Sequence, residues 1–202
     1  VGSSNREEGG EKGPEKRRKD CLVLLIDARE AMKEGGEEEP FKRCISAALG
    51  MIKHRIIAYD TDQMGICLFG TEKASNDMGF DHISTLIDLD EPTPQAIDLL
   101  ENISNGTKEC PFEHSSKSWE NEGFPLNEAL WVCQRMFSSE SSKVPKDAHK
   151  RLWVFTNDDD PVAGNKEKHF RAVQKADDMK RAGFEISLFP LKGRGSKFIK
   201  TK

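Results

Sequence analysis

The sequence predicts an α/β fold: a doubly wound, mostly parallel sheet with helices on both faces. Three observations carry this. Apolar runs of strand length recur along the chain, segments of helical period separate them, and the first run is apolar without a break. A strand buried on both faces reads that way, and such strands belong to parallel sheets. Alternating strands and helices then imply right-handed crossovers.

Cys21 to Asp27 is the first strand, an apolar run ending on a carboxylate. After a Gly/Glu loop, Pro40 opens a helix where its missing N–H costs nothing. Phe41, Cys44, Ile45, Ala48, Leu49, Ile52 and Ile56 recur on one face of that helix. Met64 to Phe69 reads as a second buried strand, stopped at Gly70. Ile83 to Leu89 alternates, which places it nearer a sheet edge. Pro92 and Pro94 punctuate, and Thr93 to Ile103 is a predicted helix. Ser104 to Gly123 is a long polar loop, of a length that suits a functional or variable segment. Leu126 to Phe137 carries a strong apolar stripe, and Arg151 to Thr156 is a fourth buried strand. Phe170, Val173, Ala176 and Met179 mark a last helix, ended by Gly183 as a left-handed cap. Glu185 to Pro190 is a fifth strand. Lys197 to Lys200 is expected to pair back as an edge strand.

A chain of 202 residues suits one well-buried core. Its first nineteen residues hold one aliphatic side chain, Val1, among Gly, Glu, Lys and Arg. Residues 1–19 are therefore expected to be disordered and 20–202 to form the domain. The formal net charge of −4 excludes a simple polyanion clamp. Two basic runs stand out against it. Lys16, Arg17, Arg18 and Lys19 form one, and Lys192, Arg194 and Lys197 open the other. They are solvated tails or contacts for nucleic acid or an acidic partner.

Five scattered cysteines with no C-x-x-C pair fit a reducing compartment, and no apolar stretch reaches the length of a membrane span. The absence of an initiator Met and the basic ending suggest a fragment of something longer. Of the tryptophans, Trp131 and Trp153 read as core or its rim, and Trp119, in the long loop, as exposed.

In open parallel sheets ligands meet the carboxyl ends of the strands. Those ends carry Asp27, Gly70-Thr71-Glu72 and Asn157-Asp158-Asp159-Asp160. Clustered carboxylates suit Mg²⁺ or Mn²⁺. The arrangement resembles the von Willebrand A fold, whose metal site is written D-x-S-x-S, with a later threonine and an aspartate after the fourth strand. Asp27 matches the first aspartate. Arg29 and Ala31 stand where the serines belong, Leu126 lies in the stretch that should hold the threonine, and Asn157 replaces the final aspartate. A guanidinium near the metal position repels a cation, so the site is expected to be degenerate. Metal and cofactor are both expected to be absent. Asp27 is then read as pairing with Arg29 or capping local backbone, and Asp158 to Asp160 as a solvated loop opening the next helix.

Other chemistries lack their residues. No G-x-x-x-x-G-K-[ST] loop cradles phosphates, no H-E-x-x-H exists, and the five histidines lie far apart.

Within A-type folds, several stretches resemble the N-terminal domain of Ku, the DNA-end-binding heterodimer, nearer its smaller (seventy-kilodalton) subunit. They are Asp20 to Ala28, Phe69 to Lys73, Leu130 to Cys133 with Met136-Phe137, and His149 to Leu152 running into Phe155 to Pro161. The resemblance implies a nuclear, chromosomal protein paired with the larger Ku subunit. It implies action in non-homologous end joining and at telomeres, with double-stranded DNA ends held by a β-barrel outside this fragment. The domain itself would be peripheral, contacting repair and telomere proteins more than DNA. The resemblance also implies a lyase alternative, Schiff-base chemistry on abasic ends by a lysine near the N-terminus, for which Lys16 and Lys19 are the candidates. A metal-dependent A-type adhesion domain is the other alternative.

Overall fold

The computed structural model describes residues 17–34, 39–58, 61–106, 111–115, 117, 119, 122–138 and 143–192. Lys16, Arg194 and Lys197, residues 1–16 of the tail expected over 1–19, and the edge strand expected over 197–200 lie outside them.

Among the described residues, five strands form one sheet: β1 (Asp20–Asp27), β2 (Gln63–Phe69), β3 (Ile83–Asp90), β4 (His149–Thr156) and β5 (Phe184–Pro190). Their spatial order is β3-β2-β1-β4-β5, with every neighbouring pair parallel except β2 and β3. β1 is central, which is why its apolar run is unbroken: Cys21, Val23 and Leu25 enter one core layer, Leu22, Leu24 and Ile26 the other. The alternation of β3 suits its place at an edge.

Four α-helices among the described residues cover the sheet: α1 (Pro40–Ile57), α2 (Pro94–Asn105), α3 (Leu126–Ser138) and α4 (Lys166–Arg181). α1 and α2 pack on one face, α3 and α4 on the other. Pro40 is the first residue of α1. Thr93 caps α2 by accepting from the Ala96 N–H, and Gly106 ends it at φ 62°. Asn165 caps α4 by accepting from the Lys168 N–H at 3.1 Å.

Three sequence expectations change. Trp119 is buried, at 8 % exposure, in T-shaped contact with His82 and Phe124. Trp131 is instead half exposed at 47 %. Phe170 and Val173 fit the period of α4 but face outward, because the helix buries Ala172, Lys175 and Met179. Lys175 can turn inward because its ammonium lies 2.9 Å from the centroid of the Trp131 ring and bonds Gln134.

Candidate functional site

β1 delivers Asp27, fully buried, to the carboxyl edge of the sheet. The chain then bends, so that Arg29 comes back over the carboxylate. Its Nε donates to Asp27 Oδ1 at 3.0 Å and its Nη2 to Oδ2 at 2.7 Å. The Arg29 backbone N–H donates to Oδ1 at 3.0 Å, and Thr156 Oγ1, from the end of β4, to Oδ2 at 2.7 Å. Four donors thus use both oxygens of Asp27. The guanidinium also reaches across to Asp158, its Nη1 donating to Oδ2 at 2.9 Å.

Arg29 is 8 % exposed. Burial pushes its guanidinium down, but the hydrogen bonds and charge of Asp27, and then Asp158, outweigh burial and hold it above its ordinary value. Gly70, at φ +80°, makes room for it: a Cβ there would collide with Arg29 Cγ.

The positions that hold a metal in A-type folds do not fit one here. Asp27 has no oxygen left to offer, and the nearest side chain is a cation. Ala31 brings no side-chain oxygen; its carbonyl accepts from Asn157 Nδ2 at 2.8 Å. Asn157 Oδ1 is buried without a hydrogen-bond partner. An aspartate at 157 would set a second acceptor against that carbonyl. Leu126, half-buried, packs against the core at the start of α3. Among the described residues no group of three or more His, Cys, Asp or Glu is placed to hold a metal ion.

The acidic run after β4 differs from its reading as a helix opener. α4 begins later, at Lys166, and the run folds on itself: Asp158 Oδ1 accepts from the Asp160 N–H and Asp160 Oδ2 from the Gly164 N–H. Sequence reasoning missed Asp158 as the second partner of Arg29, and Thr156 as a donor to Asp27. It also left the long polar loop without a place. Residues 113–115 of that loop clamp onto the same edge: the Ser115 N–H donates to Gly70 O at 2.9 Å and the Glu72 N–H to Glu113 O at 2.7 Å. His114 Nδ1 meets Ala28 O at 2.7 Å, with Phe41 and Phe112 against its ring. Burial holds the His114 imidazole below the ordinary histidine range, against that carbonyl, which raises it.

The basic run lies at the opposite, amino edge. Arg17 pairs with Asp62 at 2.6 Å and Lys19 with Glu91 at 2.9 Å, while Arg18 is exposed. Asp20 accepts from Arg55 at 3.0 Å and from both Arg151 Nε and Nη2. Lys192, past β5, is exposed. The two sets of candidate residues, Asp27 to Asn157 and Arg17 to Lys19, are therefore not brought together.

Residues 21–201 match the family model described as the Ku70/Ku80 N-terminal alpha/beta domain. The chain belongs to the Ku family. It is 34% identical over 180 residues to mouse X-ray repair cross-complementing protein 6, a match spanning 88% of this chain and 29% of the relative. It is 33% identical over 189 residues to the ATP-dependent DNA helicase ku70 of Dictyostelium discoideum, spanning 86% of this chain and 20% of the relative. The chain thus covers less than a third of the length of these Ku relatives. Among solved structures it resembles the pilus adhesin SpaC of Lactobacillus rhamnosus GG, with a TM-score of 0.56 at 10% identity over 87% of this chain and 25% of the adhesin. That likeness shows the fold alone. In this member of the Ku family, the edge that serves metal-dependent A-type domains is closed by an internal ion pair.

Proposed function

We propose that this chain is the partner-docking N-terminal domain of a Ku-type DNA-end-binding protein, acting in double-strand break repair by non-homologous end joining and in telomere maintenance. In this reading residues 20–202 form the docking domain and residues 1–19 precede it as a tail. The rest of the longer protein encircles DNA. Its partners are the larger Ku subunit, end-joining and telomere proteins, and double-stranded DNA ends reached through that remainder, in the nucleus and on the chromosome.

The observation that carries the reading is the guanidinium of Arg29 seated on Asp27 and Asp158. It fills the usual ligand edge of the fold with an internal ion pair, which supports a domain that works through its outer surfaces. The net charge of −4 supports light contact with DNA, because affinity for duplex ends is dominated by phosphate neutralisation. The alternative lyase role gains nothing from Lys19, whose amine is engaged by Glu91.

The test compares end binding by this chain with binding by the full-length protein and its partner, on blunt duplex DNA at physiological salt. The chain alone is expected to bind at least about 100-fold more weakly. End-specific nanomolar binding by the chain alone would overturn the reading.

A further inference from the structure

The two edges of the sheet are built differently. At β3 the pairing with β2 shifts register twice, and Asp88 and Asp90 are exposed. Ser75 bonds the first residues of that strand from outside, its N–H donating to Ile83 O and its carbonyl accepting from the Thr85 N–H. Bulges, charges and a covering segment are the usual defences of an edge, since an open row of N–H and C=O groups invites another strand. β5, the opposite edge, lacks them. Its register with β4 runs unbroken from Phe184 to Pro190, its one charge is Glu185, and its one proline stands last. No described residue pairs with its outer side.

The side chains of β5 are uncovered on both faces of the sheet. Leu188, in register with Val154 on the face of α3 and α4, is 55 % exposed. Phe189, on the other face, stacks on Phe155 with ring centroids 4.9 Å apart and is still 37 % exposed. β5 thus has the make-up of an interior strand and the position of an edge.

The residues that follow have the length and pattern of a partner strand. Leu191 is still tied to the sheet, its N–H donating to Thr156 O at 2.8 Å. Residues 193–202 lie outside the described residues, and their sequence runs Gly193-Arg194-Gly195-Ser196, then Lys197-Phe198-Ile199-Lys200. A parallel return needs a crossover of about a dozen residues or more, so the short stretch from Gly193 to Ser196 allows only an antiparallel one. Its glycines suit a tight turn. Neighbouring side chains of a strand point to opposite faces, so Phe198 and Ile199 would cover one face each, beside Phe189 and Leu188. Lys197 and Lys200 would then flank the new edge, where lysine discourages further pairing. A tether this short holds the segment at an effective concentration of about millimolar, which a second copy of the chain does not match in dilute solution.

We propose that Lys197–Lys200 return as a short antiparallel strand on the outer edge of β5, and that this strand keeps a second copy of the chain off that edge. The edge is closed in this way whether or not the domain docks partners.

Amide hydrogen exchange, followed by NMR at low protein concentration, tests this on the chain itself. Alternate N–H groups of β5 face β4, and the rest face outward. The outward set among residues 185–189 should exchange at least about tenfold more slowly in the chain than in Phe198→Pro combined with Ile199→Pro. Two prolines are used because one of two neighbouring N–H groups faces β5 in either register. The set bonded to β4 should stay slow in both proteins, which shows that the domain is folded. A chain cut after Lys192 should exchange its outward set fast as well and, unlike the uncut chain, should dimerise as its concentration rises. The two variants open the edge by different routes, so one that fails to fold leaves the other to decide. Equal exchange of the outward set in all three proteins would overturn the strand. Slow exchange that tracks a dimer of the uncut chain would give the edge to a second copy instead, and a cut chain that stays monomeric would remove the protective role.

Discussion

Arg29 and Asp27, two residues apart at the end of the central strand, form a side-on ion pair in which Nε and Nη2 each bond a different carboxylate oxygen, at 3.0 and 2.7 Å. This pair stands where the fold elsewhere keeps a cation. A guanidinium delivers positive charge in a planar fork that matches a carboxylate, and it stays protonated in any accessible condition. The bend after Asp27 is stabilised by the same carboxylate through the Arg29 N–H, and the loop after β4 is tied in through Asp158. One side chain thus ties the end of β1 to the loop after β4.

Arg29→Ala is expected to destabilise the domain by about 3–5 kcal/mol, because it leaves Asp27 charged and buried with half of its donors gone. Arg29→Lys should fall between, since an ammonium cannot span both oxygens of Asp27 and also reach Asp158. Urea unfolding with constant slope measures both. Added Mg²⁺ should leave the wild-type midpoint where it is, and a midpoint that rises with Mg²⁺ would restore the metal-dependent reading.

How much of this was legible in the sequence depends on the range of the interaction. Strands, helix starts and the edge position of β3 follow from local period and from residues such as Pro40. The loss of metal ligands was visible because it concerns residue types at fixed spacing, Arg29 and Ala31 against serine. The pairing of Arg29 with Asp158 spans 129 positions and leaves no local mark. The same holds for Asp20, held by Arg55 and Arg151 from 35 and 131 residues away. Trp119 was misread because a polar loop suggests exposure. Its ring is buried in T-shaped contact with His82 and Phe124. Phe170 and Val173 were misread in the opposite direction. Period locates an apolar stripe, but Lys175, with its stem inside and its amine on Trp131, took the inward place.

His114 should give the domain a measurable acid sensitivity. Burial holds its folded pKa below the ordinary value, so the folded imidazole stays neutral while the unfolded chain takes up a proton. The stability tied to this group is complete above about pH 6.5, the unfolded value, and is lost as pH falls from there through the lower folded pKa. His114→Asn keeps a donor that can meet the Ala28 carbonyl but removes the titration. Between about pH 7.5 and pH 5.5 the wild type should therefore lose more stability than the variant. Parallel urea midpoints for the two proteins would show this idea wrong.

The cysteines offer a test of the core itself. Burial pushes Cys44 up to about 12 and Cys21 up to about 11, and burial, with Cys67 beside it, raises Cys133 well above its ordinary range. Cys21, Cys44, Cys67 and Cys133 are all free and buried. A thiol reacts as its thiolate and only where reagent can reach it, so native protein near pH 8 should react at the rate of its own opening. Cys110 lies outside the described residues, and Cys110→Ser removes it from the count. That variant should release no fast equivalent of thionitrobenzoate when native. In denaturant it should release four, the five cysteines of the sequence less the one replaced. A fast equivalent from the native variant would mean that one of the two core layers is open to solvent. Single substitutions then assign it, Cys44 to the layer beneath α1 and α2, or Cys21, Cys67 or Cys133 to the layer beneath α3 and α4.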